Sequence, residues 1–78
     1  MTKDEQGIIR AYSLGDTSLK HEAIFIYRSE VIAGRTEGPE MEFMREVDTE
    51  MYDFPARARA RERLHDLIAR ERKNEHTV

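Results

Sequence analysis

The only run of five consecutive apolar residues in this chain, Ala23-Ile24-Phe25-Ile26-Tyr27, must lie in whatever core the other residues build. Its use depends on whether residues 17–33 are a helix or a strand. At about 100° per residue, Leu19, Ala23, Ile24, Ile26, Tyr27, Val31 and Ala33 gather in one broad apolar sector, with His21 and Arg28 opposite. Glu30 falls inside that sector, whereas Phe25 and Ile32 fall outside it. Isoleucine, phenylalanine, tyrosine and valine are also good strand formers. Extended, residues 23–33 would place Ala23, Phe25, Tyr27 and Val31 on one face and Ile24, Ile26 and Ile32 on the other. Both faces would then need covering, and a short chain supplies few covers.

The ends of the segment decide between the two. Asp16, Thr17 and Ser18 offer N-cap side chains, and Gly34 follows the last apolar residue where a left-handed C-cap would sit. The segment is therefore expected to be helical, with an α+β arrangement as the alternative. A helix that is apolar nearly all round is either central to a bundle or buried against a partner.

The chain has 78 residues, enough for one domain whose folding buries only about 60–65% of the extended surface. Oligomerisation is a common remedy for such marginal stability. There is no cysteine, which excludes disulfides and thiolate metal sites. No apolar stretch approaches the ~18 residues of a membrane span, and the first residues lack the apolar segment of a signal peptide. A cytoplasmic protein with no membrane contact is expected. The net charge of -3 conceals a dipole: residues 1–54 are net acidic and residues 55–78 net basic.

Four helices follow from the local signals. Thr2-Lys3-Asp4-Glu5 is a capping box that starts the first, with Ile8, Ala11 and Tyr12 on one side and Ile9 and Leu14 flanking. Gly7 weakens this helix by up to ~1 kcal/mol relative to alanine. Leu14-Gly15-Asp16 reads as a stop followed at once by the next cap, giving a first helical hairpin over residues 1–34. A DNA-binding helix-turn-helix is a competing reading of this hairpin, but its net acidic charge opposes DNA affinity. Residues 35–38 form a loop, and Gly38-Pro39 begins a third helix reaching about Tyr52. Met41, Phe43, Met44, Val47, Met51 and Tyr52 share one face of it, while Glu42, Glu46 and Glu50 repeat along the opposite one. Asp53-Phe54-Pro55 separates it from a fourth helix ending near Lys73, with Ala56, Ala60, Leu64, Leu67 and Ile68 as its core stripe. That stripe starts small, so the beginning of the helix can approach a neighbour closely. Residues 39–73 make a second hairpin and 74–78 a frayed tail. The expected fold is thus an all-α, single-domain bundle of two helical hairpins.

Chemistry is sparse. His21, His65 and His76 are far apart and show no metal-ligand spacing, and there is neither a nucleophile with an oriented base nor a phosphate-cradling glycine loop. No catalytic residue, metal site or cofactor is expected. The alternating arginines of Arg57-Ala-Arg59-Ala-Arg61-Glu-Arg63 spread around a helix, with Arg59, Arg63 and Arg70 on one flank of the apolar stripe and Arg61, His65 and Arg72 on the other. They suit ion pairs with the acidic third helix, or phosphate contacts. The leading functional expectation is a non-enzymatic interaction module, an adaptor, inhibitor or regulatory protein of the kind that phages and mobile elements encode. It would dock on a partner protein or a second copy through Met41, Met44, Glu46, Glu50, Met51, Arg59, Arg63 and Arg70. The alternative is a nucleic-acid-binding regulator using the arginine-rich fourth helix.

Overall fold

A computed structural model describes residues 1–48 and 54–75. They form four α-helices and, among the described residues, no strand: α1 (Lys3–Ser13), α2 (Lys20–Ile32), α3 (Pro39–Asp48) and α4 (Phe54–Glu75), with a 3₁₀ turn at Thr17–Leu19. The all-α expectation holds, and residues 23–33 are not extended. The last part of the third helix's expected run, residues 49–52, lies outside the described residues, as does the tail beyond Glu75. Within 74–75 the helix continues where fraying was expected.

The helix ends form where the local signals place them. The Thr2 hydroxyl accepts from the Glu5 N–H (3.2 Å) while the Glu5 carboxylate accepts from the Thr2 N–H (2.8 Å), completing the capping box. At the end of α1, Gly15 takes φ of 116°, its N–H donates to the Tyr12 carbonyl, and the Asp16 N–H reaches back to the Ala11 carbonyl (3.0 Å). Gly34 repeats this Schellman arrangement after α2, with φ of 80° and the Arg35 N–H on the Glu30 carbonyl (2.9 Å). Asp16 caps the 3₁₀ turn through the Ser18 N–H rather than α2 itself, which is why α2 starts at Lys20 instead of Thr17.

α1 packs on α2, and α3 packs on α1, α2 and α4. The core holds Ile9 of α1, Ala23, Ile26 and Tyr27 of α2, Met41, Phe43 and Met44 of α3, and Ala60 and Leu64 of α4. α1 is rotated from the expected face. Ile9 and Ser13 are its fully buried residues, Ile8 and Tyr12 are half-buried, and Leu14 is exposed beyond the cap. Buried Ser13 is satisfied by donating to the Arg10 carbonyl (2.6 Å), while its own carbonyl receives His65 Nε2 at 3.4 Å.

Gly7 lies inside α1 on the exposed side, and a Cβ built there meets nothing within 4 Å. Gly7→Ala is therefore expected to stabilise the fold by about 0.5–1 kcal/mol, through helix propensity and a less flexible unfolded chain. Chemical denaturation would measure it; a loss of stability would mean that α1 is not helical at Gly7.

Ion pairs tie the elements together. Arg10 of α1 donates Nε and Nη2 to Glu40 of α3 (3.0 and 2.9 Å) and also reaches both carboxylate oxygens of Glu71 in α4. This contact holds the Glu71 carboxyl below its ordinary value. Arg63 of α4 places Nη1 on Glu42 of α3 at 3.0 Å. Glu30, the misfit in the apolar sector of α2, is 4% exposed and paired with Arg35 (2.7 Å) and with the Met1 amino group (3.1 Å).

Hydrogen bonds from Arg35 first, and from the amino group second, hold the Glu30 carboxyl down to about 2 against an ordinary 4.5. Because the folded value is the lower one, this contribution is fully present above about pH 4.5 and is lost as pH falls through about 2. The denaturation midpoint should drop across that window, and Glu30→Gln should flatten the drop. An unchanged acid limb in the variant would show that Glu30 is not the group responsible.

Candidate functional site

α2 is apolar on more than its core-facing side, as its sequence requires. Opposite Ala23, Ile26 and Tyr27, the side chains of Phe25 and Ile32 stand 73% and 88% exposed. Seven residues apart, Phe25 and Ile32 lie on one stripe of the helix. They are the two residues that fell outside the apolar sector in the sequence.

A second feature lies along one flank of the same helix. α2 and α4 are separated by a cleft of about 880 Å³, within the range of ligand-sized sites. One wall is Lys20, Ile24 and Arg28 of α2, the other is Arg57, Arg61 and His65 of α4, and in both the residues recur every four positions. The floor is apolar, from Tyr12, Phe43 and Val47, with Gly15, Thr17 and Ala58 leaving low ground between the walls. Arg61 lies over the Phe43 ring at 5.8 Å, and Tyr12 meets that ring at 6.0 Å in a tilted pair.

The cleft's charge differs from that of the chain. Among the described residues a single carboxylate, Glu62, lines it against the four cations Lys20, Arg28, Arg57 and Arg61, although the whole chain is net -3. Lys20, Arg57 and Arg61 have no ion-pair partner among the described residues, and Arg57 Nε is buried without a hydrogen bond. Arg10, Arg35 and Arg63 are by contrast each matched to glutamate.

The expected contact residues fall into separate places. Met41 and Met44 are core residues, Met44 fully buried, so these two methionines pack inside the fold. Glu46 was expected on a solvated face but is 9% exposed. The physical reason is the small start of α4: Ala56 and Ala60 border a narrow gap of about 180 Å³ with Glu42 and Glu46, and close approach covers the carboxylate. Arg59 and Arg63 line that gap, and Arg70 is exposed further along the same flank of α4. Glu50 and Met51 lie outside the described residues.

Sequence reasoning did not nominate Ile24, Phe25, Ile32 or Arg57, and it placed Arg61 only among the arginines of the fourth helix suited to ion pairs or phosphate. Their signal was present as four-residue spacing and as apolar residues off the main sector. Among the described residues no three histidine, aspartate or glutamate side chains gather as a metal site, and no helix is long and apolar enough to cross a membrane. Comparison of the chain with protein-family models, with curated proteins and with solved structures finds no match.

Proposed function

We propose that this chain is a non-enzymatic protein-docking module, a small cytoplasmic adaptor, inhibitor or regulatory protein that works by covering or bridging a partner. The observation that carries the reading is the outer stripe of α2, where Phe25 and Ile32 expose most of their surface. Single exposed apolar residues are ordinary, but two large ones on one stripe of a helix are a feature that interaction surfaces share. A second copy of the chain is the simplest occupant, since antiparallel α2 helices would set Phe25 of each copy against Ile32 of the other.

Light scattering at tens of micromolar is expected to give a mass above the 9.2 kDa monomer. Phe25→Asp with Ile32→Asp should return the protein to a monomer with unchanged helical circular dichroism. A wild-type monomer would remove self-association and leave a different protein as the occupant. A captured partner indifferent to both substitutions would remove the α2 stripe from the proposal.

Nucleic-acid binding through α4 is the second reading, favoured by exposed Arg59, Arg61, Arg70 and Arg72. It is weakened by their division between two flanks and by the pairing of Arg63 with Glu42.

A further inference from the structure

We infer that the cleft between α2 and α4 is a groove for an acidic amphipathic helix of a partner protein. The occupant would lay its apolar face on the floor and its carboxylates against both walls. The inference rests on the protein-docking reading and deepens it by naming the chemistry of the partner segment.

Three observations converge on this occupant. The first is shape: two helices flank an apolar floor, the arrangement in which grooves accept an amphipathic helix. Lys20 to Arg28 spans about 12 Å of α2, or roughly two turns of a bound helix. The second is charge. Lys20 on one wall, and Arg57 and Arg61 on the other, lack ion-pair partners among the described residues, and the buried Arg57 Nε has no acceptor. A buried donor left unmade is costly, and a carboxylate entering the cleft would satisfy it. The third is the state of the aromatic floor. Phe43 is buried and already covered by the Arg61 guanidinium, so it offers no open platform on which a nucleobase could stack. An apolar side chain needs no such platform and can rest on Ile24, Val47 and the edge of Tyr12.

The same geometry explains selection against other partners. The chain is net acidic, so long-range electrostatics repel polyanions in general. The cleft adds a local attraction, and its apolar floor favours a ligand whose negative charge is flanked by apolar surface.

The test is selection of displayed random peptides, about four helical turns long, on the immobilised full-length protein, with a single-stranded thymidine oligonucleotide as a parallel probe. Enriched peptides are expected to carry apolar residues at i, i+3 or i+4, and i+7, with aspartate or glutamate on both sides. Arg57→Glu with Arg61→Glu should weaken them by about tenfold or more, and Arg57→Gln with Arg61→Gln by less, both proteins remaining folded by circular dichroism. No enrichment, enrichment of non-acidic peptides, or indifference to both charge variants would overturn the inference. So would oligonucleotide binding that the same variants abolish, which would assign the cleft to nucleic acid. Peptides lost only with Phe25→Asp and Ile32→Asp would end the cleft proposal while leaving protein docking intact. No peptide binding together with a monomeric wild type would end the cleft proposal and self-association together.

Discussion

Arg10→Met is expected to destabilise the fold by about 2–4 kcal/mol, because it removes the partner of a carboxylate that the packing keeps out of water. Glu40 has a side chain only 7% exposed, and one of its oxygens receives both Nε and Nη2 of Arg10. Without the guanidinium that oxygen keeps its desolvation cost and loses its compensation. Stability on the order of 4–12 kcal/mol is typical for a chain of this length, so the loss would be a large share. Replacing both members, as Arg10→Met with Glu40→Leu, should recover most of it, since an apolar pair carries no such cost. Chemical denaturation of the wild type, both single variants and the double variant gives the coupling directly. Additive losses would show that the clamp is not a unit.

Met44→Ala is expected to cost about 2–5 kcal/mol, the range for truncating a buried methionine, whereas Phe25→Ala should stay within about 0.5 kcal/mol. Met44 is fully buried and Phe25 is 73% exposed, so the two substitutions separate core from surface. Their effects on association should run the opposite way, with Phe25→Ala weakening self-association and Met44→Leu leaving it unchanged. A Met44→Ala protein of native stability that no longer associates would reverse the assignment. The methionine face would then be the docking surface.

The fold was legible because the ends of the apolar segment spoke more clearly than its middle. Isoleucine, phenylalanine and tyrosine leave residues 23–33 ambiguous, but Gly34 accepts the positive φ that closes a helix, and it does so here. Glu30 was visible as a misfit, yet its resolution was not. Arg35 lies past the helix end, and only the return of the chain after Gly34 brings it to the carboxylate. Glu46 was misplaced because a helical wheel treats one helix as if it stood alone. The alanines of α4 bring that helix near enough to cover a position that looks solvated in isolation. The cleft was illegible for a related reason. Its two walls come from residues 20–28 and 57–65, and periodicity within each stretch does not say that they face each other.

The clamp on Arg10 also bears on the order in which the bundle comes apart. Arg10 and Glu71 are 61 positions apart, while most of the remaining packing joins helices that are neighbours in the chain. Helical hairpins assemble rapidly from such local contacts, and a bond closing so long a loop belongs to the end of the process. Contacts that form after the transition state govern how fast a protein opens rather than how fast it folds. The ion pair joining α1 to α4 is on this view a latch, and its strength sets the lifetime of the folded bundle.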